Sequence, residues 1–396
     1  RRIARGGTTY LNATIGSAPS VTSSIHANMG TGAHPRTHGM PEITGRLPDG
    51  TIGDLWFGEE IDPRLIGVPT VGDVWDRATG NRAWVGIVAF ESWHLGMMSH
   101  GARWPGADRD LAVLWDLGEE GHGLGGLTDA GPYYAMPSHL PGPGELERSV
   151  ARLDRSDGAA DGRWMGWDLA DPGVVSGTPA VVEHQGHALI DMMRRGRVGG
   201  DRVTDLVFLE QKPTDRGGHV WNMVSPEEEH TLRAQDRVLG RLVRELERAA
   251  PRRWVLIVTA DHGQTPLPET TGGLRIHPDI LGRDVERYFG RDIVEKVTPS
   301  GMFLDREQMA REGITLDEVA RFVGDYRYGD GLPEDADRAS IPAEDLRRRV
   351  FAAAIPATYL EGLDPAEIDG LGPGRYPEGR LTSAGDVERF GRLLGE

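Results

Sequence analysis

Four short apolar runs, set apart by longer segments, constrain the fold of this chain more than any other feature. They are "NRAWVGIVAF" (81–90), "DLAVLWD" (110–116), "DLVFLEQ" (205–211) and "WVLIVTA" (254–260). Val255, Leu256, Ile257 and Val258 make a continuous apolar stretch of the kind a parallel sheet covers on both faces. The clearest helix, 225–250, lies between the last two runs. Ser225 is placed to cap it, Pro226 suits its first position, and Glu228 completes a capping box. Leu232, Leu239, Leu242, Val243 and Leu246 recur at helical spacing as one apolar stripe. A helix joining two parallel strands in this way forms a right-handed crossover. The alternation predicts an α/β protein, a three-layer sandwich with a mainly parallel central sheet.

Around that core, carried by 1–117 and 181–275, the pattern changes. Residues 118–180 are poor in periodicity and hold a cluster of glycines (118, 121, 123, 125, 126 and 131), as expected of an insertion or cap over the sheet's ligand edge. Residues 276–360 suggest a small α+β subdomain, and 361–396 a Gly/Pro-rich tail. The opening "RRIARGGTTY" reads as the end of a helix entering a strand.

Composition narrows the function. A net charge of −17 argues against a surface that coats nucleic acid, although metal ions could still bring a small phosphate-bearing substrate to it. The absence of cysteine excludes disulfides, thiolate zinc sites and a cysteine nucleophile. No apolar run reaches the roughly 18 residues of a membrane span.

Three polar clusters fall at or near predicted strand ends, where open α/β sheets collect ligands. Asp261 and His262 follow the run at 254, and Gly263 and Pro266 stop it. Asp215 and His219, in "EQKPTDRGGHVWNM", follow the run at 205; an Asp-x-x-x-His spacing puts both side chains on one side of a helical turn. Two carboxylates and two imidazoles suit two divalent metal ions, Zn²⁺ first and Mn²⁺ as the alternative. The third cluster, "SAPSVTSSIHANMGTGAHPRTHGM" (17–40), is rich in hydroxyls, one of which could serve as a nucleophile if a base or metal activates it. "SWHLGMMSHGARWPGADRD" (92–110) gathers Trp93, His94, His100, Trp104, Asp108 and Asp110, either as a substrate-pocket wall or as packed and satisfied side chains. Trp221 and Asn222 are placed to touch a leaving group or to pack. His184 and His187 share one helix face as surface or core residues, and Asp236 belongs to a solvated face.

The ordered motifs resemble the alkaline phosphatase superfamily, within its type I phosphodiesterase/nucleotide pyrophosphatase branch. Pro19, Thr22, His26, Thr31-Gly32, Pro35 and His38-Gly39 match its nucleophile segment; Asp215/His219 and Asp261-His262-Gly263 match two metal-ligand segments. The match in order and spacing runs from residue 8 to 265. The resemblance implies that Thr22 is the nucleophile, sharing one metal with Asp261 and His262, while Asp215, His219 and a later histidine hold the other. It implies attack of Thr22 on phosphorus, a phospho-threonine and its hydrolysis, with a small phosphate ester as substrate. Relatives in this branch are commonly exported. The alternatives are a phosphomonoesterase, a phosphonate hydrolase, or a binding relative that has lost turnover.

Three departures from the branch stand out. Its first metal-ligand aspartate, about forty residues before the nucleophile, has no counterpart, because Thr22 has only 21 residues ahead of it. The expectation is that the chain is an N-terminally shortened form. The only histidine beyond 262 is His277, a candidate for the last ligand or a surface residue. Ile43 stands where a phosphate-contacting asparagine belongs, leaving Asn28 or a backbone N–H to stabilise the oxyanion. His94 and Trp221 complete the candidate substrate contacts.

Overall fold

The computed structural model describes residues 2–361 apart from 12, 14, 16, 18, 48, 56–62, 64, 65 and 119–122. All but the first residue of the tail expected at 361–396 therefore lies outside the described residues. Helix α1 (Thr22–Thr31) and helix α2 (Val71–Thr79) precede the central strand β1 (Val85–Val88). Strand β2 (Leu111–Asp116) runs parallel to β1, with Leu111 opposite Gly86, and β3 (Gly126–Asp129) pairs antiparallel on the outer side of β2. Helices α3 (Pro143–Asp154) and α4 (Pro179–Arg195) lead to β4 (Leu206–Leu209), which lies parallel to β1 on its other side. The strand order is β3-β2-β1-β4. Three of the four strands are parallel, as the alternation of elements predicted.

Two faces of this sheet are covered. Val88 and Val113 pack against Ala188, Leu189, Met192 and Met193 of α4, and against Leu242 of α5 (Pro226–Ala249). Ile87, Ala89, Ala112 and Leu114 pack on the opposite side against Ala27, Met40, Leu95 and Met98. These are the expected three layers. Residues 278–351, which include α6 (Pro278–Phe289), gather a core of their own around Val285, Ile293, Met309 and Tyr326. They reach the hairpin Thr44–Arg46/Ile52–Asp54 through Arg46 to Glu295 and Lys296 to Thr44.

The apolar run at 254–260 departs from expectation. Among the described residues no strand pairs with it, and Val255 and Ile257 are 87% and 82% exposed. Its apolar side chains lack the neighbouring strand and covering face that burial requires. The ends of the segment are nonetheless fixed. Arg253 donates to the Asp201 and Gly199 carbonyls, and His262 meets Thr22. Helix α5 thus leads to the site without closing a strand-to-strand crossover.

Four other expectations need correction. Ser225 does cap α5, accepting from Glu228 N, but the Glu228 side chain is buried and does not complete a reciprocal box. The buried face of α5 is Thr231, Ala234, Val238, Leu242 and Glu245, while Leu232 is 51% exposed. Two polar groups enter that face with partners: Thr231 Oγ1 donates to the Gly177 carbonyl, and Glu245 pairs with Arg194 and Arg248. Nor is 118–180 without structure, for it contains β3, α3 and the hairpin at 163–168, packed through Trp115, Leu146 and Trp164. At the front of the chain Arg2–Gly6 is helical, but no strand follows among the described residues.

Candidate active site

Thr22 is the first residue of α1, and its side chain is buried at the helix N-terminus, where backbone N–H groups point outward. The helix is held at close range. A Cβ added at Gly30 would lie 1.9 Å from the Gly96 carbonyl oxygen, so only glycine lets α1 lie this near the turn at 92–97. That contact fixes where the Thr22 hydroxyl stands.

Two distant parts of the chain meet this hydroxyl. Thr22 Oγ1 lies 3.0 Å from His262 Nε2, and Lys212 Nζ donates to the same oxygen at 3.3 Å. His262 Nδ1 lies 2.9 Å from the Gly263 carbonyl. That carbonyl can only accept, so Nδ1 carries the proton and Nε2 presents a lone pair. Asp261 Oδ2 sits 3.2 Å from the same Nε2. A carboxylate oxygen and an imidazole lone pair facing each other at that range repel, unless a proton or a cation lies between them.

Asp215 forms the other side of the cluster. Its Oδ2 lies 2.9 Å from Lys212 Nζ and 3.6 Å from His219 Nε2. Asp215 belongs to the helical turn Pro213–Gly217, and His219 to the π-helical turn Gly218–Asn222 that continues it. Such π turns often mark functional sites. Lys212 therefore links the two halves, binding Asp215 on one side and Thr22 on the other.

Beneath the hydroxyl lies a layer of neutral groups. His26 Nδ1 donates to the Thr22 carbonyl at 2.8 Å and stands 3.7 Å from Asp261 Oδ2; burial lowers its pKa to about 4. His94, wholly buried, packs 4.6 Å from the His26 ring, and desolvation holds it well below the usual imidazole range. Its Nδ1 accepts from Glu91 N at 2.8 Å and lies 3.5 Å from Glu210 Oε2. Burial pushes the Glu210 carboxyl up to about 8, so at neutral pH it is mainly protonated.

Thr22, Asp215, His219, Asp261 and His262 are thus brought into one cluster. His277 stands apart: it precedes α6, its carbonyl accepts from Ile280 and Leu281, and no hydrogen bond or ion pair ties its ring to the cluster. Asn28 turns its side chain to His38, 2.6 Å from Nε2. His94 is sealed beneath His26, and Trp221 is a core residue packed against Trp164 and Trp167. Of these three, none offers a free polar or aromatic face beside Thr22.

The family model described as "Type I phosphodiesterase / nucleotide pyrophosphatase" matches residues 1–326. The chain belongs to this family. Two solved structures share its fold. Wild-type alkaline phosphatase PafA is 18% identical with a TM-score of 0.59, covering 79% of this chain and 68% of that one. A PafA variant carrying four substitutions is 17% identical with a TM-score of 0.60, covering 93% of this chain and 74% of that one. A comparison with curated proteins gives no match. As a type I phosphodiesterase/nucleotide pyrophosphatase family member, the chain is a phosphoester hydrolase.

Within that family frame, sequence reasoning missed Lys212 as a site residue. Its signal was weak but present, since it is one of only two lysines and lies one helical turn before Asp215. Glu210 was read only as part of a strand.

Proposed function

We propose that this family member hydrolyses a phosphodiester or pyrophosphate bond through a phospho-threonine at Thr22, assisted by two divalent cations. The convergence of Thr22 Oγ1 on His262 Nε2 at 3.0 Å and Lys212 Nζ at 3.3 Å carries the reading. These partners lie 240 and 190 residues away in sequence, a convergence that no local packing need explains.

The donor set around Thr22 suits one cation: a hydroxyl, the Asp261 carboxylate and the His262 lone pair, whose ring is oriented by the Gly263 carbonyl, as metal-bound histidines commonly are. Asp215 and His219 supply two donors for the second, with Lys212 alongside. Nitrogen and carboxylate donors favour Zn²⁺, with Mn²⁺ as the alternative. Bound there, such ions would lower the pKa of the threonine hydroxyl and neutralise charge on the phosphoryl group.

The protein's own groups do the rest. Thr22 Oγ bonds to phosphorus as its proton leaves and the bond to the departing alcohol or phosphate oxygen breaks. Lys212 holds its ammonium against the attacking oxygen, and the α1 N-terminus offers N–H groups to the phosphoryl oxygens. Water then attacks the phospho-threonine, restoring the hydroxyl and releasing the second product. His26 stays neutral and fixes the Thr22 backbone.

Acid quenching of the enzyme with bis-p-nitrophenyl phosphate, followed by peptide mass analysis, should find a phosphorylated adduct on Thr22. An adduct elsewhere, or none during active turnover, removes the nucleophile from this reading. Faster turnover of p-nitrophenyl phosphate than of the diester would instead favour the monoesterase alternative.

A further inference from the structure

At the opposite end of the sheet, where β2 begins, three carboxylates crowd together. Asp76 comes from the last turn of α2, and Asp108 and Asp110 from the segment entering β2; one oxygen of each lies within 4.8 Å of the others. Asp76 and Asp110 are buried and Asp108 is exposed.

A neighbouring acid shows what satisfaction looks like. Asp73, one turn earlier on α2, accepts from Thr70 N at 2.7 Å and His100 N at 2.9 Å, and lies 2.6 Å from His100 Nδ1. Asp76 has nothing comparable. It is 0% exposed, and neither of its carboxylate oxygens has a hydrogen-bond partner. Asp110 takes the Ser99 hydroxyl on one oxygen. An ionised, unpaired, buried carboxylate is strongly unfavourable, and two more carboxylates beside it make it worse.

We propose that Asp76, Asp108 and Asp110 bind a structural Ca²⁺ ion, distinct from the catalytic cluster. The trio is all oxygen, with neither imidazole nor thiolate among its members, which selects hard cations over zinc. Ca²⁺ fits better than Mg²⁺: it sheds water readily and accepts two oxygens of one carboxylate, as the dry Asp76 side requires. Asp108, facing solvent, provides the entry path. An ion held here ties α2 to the start of β2. The competing account is a carboxylate trio that shares protons and binds nothing.

The two accounts separate by titration. The full chain, stripped with a chelating resin and resupplied with Zn²⁺, is titrated with CaCl₂ by calorimetry and by thermal unfolding. The expected result is one Ca²⁺ per chain and a rising Tm. Asp108→Asn, which alters an exposed side chain, should weaken Ca²⁺ binding by roughly tenfold or more. Asp76→Asn should raise Tm without Ca²⁺ and remove the further rise with it. No Ca²⁺ binding by the wild-type chain at millimolar concentrations overturns the proposal, as does wild-type affinity in Asp108→Asn. If Asp76→Asn does not fold, the Asp108→Asn measurement decides alone.

Discussion

At the carboxyl end of the sheet, Asp215 and Asp261 sit among an ammonium, a hydroxyl and imidazoles; at the amino end, Asp76, Asp108 and Asp110 sit with one serine hydroxyl. Both ends crowd acids together, yet only the first supplies the mixed donors that move charge during a reaction. A hydroxyl touching both an imidazole and an ammonium can be made to attack. Oxygen ligands alone suit the holding of a hard cation. The two proposals assign chemistry to one end and cohesion to the other, and substitutions should sort accordingly.

The largest effect is expected from Thr22→Ala. It should lower kcat by about a thousandfold or more while metal content stays nearly constant. Turnover surviving at wild-type rate would erase the contrast between the ends. Next comes Lys212→Met, which keeps the length of the side chain and removes the charge. A loss of about a hundredfold in kcat, read from steady-state kinetics, is the expectation for a donor on the attacking oxygen.

Glu210→Gln sharpens the comparison through pH. Because burial raises the folded-state pKa of Glu210 from 4.5 to about 8, its contribution to stability is full below about 4.5 and lost as pH rises towards 8. Urea unfolding of the wild type should therefore show stability falling over that window by something like a few kcal/mol, and the glutamine variant should flatten the fall. A wild-type profile indifferent to pH would show that Glu210 is not buried and protonated. Smallest is Gly30→Ala. Forcing a methyl group against the Gly96 carbonyl should cost about 1–3 kcal/mol in stability, and the displaced α1 should carry Thr22 out of register and slow turnover as well.

Much of the site was legible because its motifs are ordered in the chain, although only Asp215 and His219 follow a strand, β4. Asp215, His219, Asp261 and His262 stand out by spacing and residue type and Thr22 by the resemblance to the family, and all five meet. Lys212 escaped notice because a single lysine has no period and no partner spacing of its own. The pattern at 81–90, 110–116 and 205–211 became strands, whereas the equally apolar 254–260 did not. Apolarity records a need for burial, but a strand also needs a neighbour, and that neighbour is not written in the local sequence. The stripe on α5 was displaced for a related reason: Thr231 and Glu245 enter the core through partners on other elements. In 118–180 the glycines hid real elements, since positive-φ glycines bracket β3, Gly118 and Gly125 before it and Gly131 between it and α3.

The outer edge of β4 carries a further consequence. Among the described residues no strand pairs along it, and Val255, Ile257 and Val258, in the segment leading to His262, are exposed. The bare amides and carbonyls of an unpaired strand edge are a template on which an extended peptide can pair. That edge is therefore where the sheet is open to one more strand.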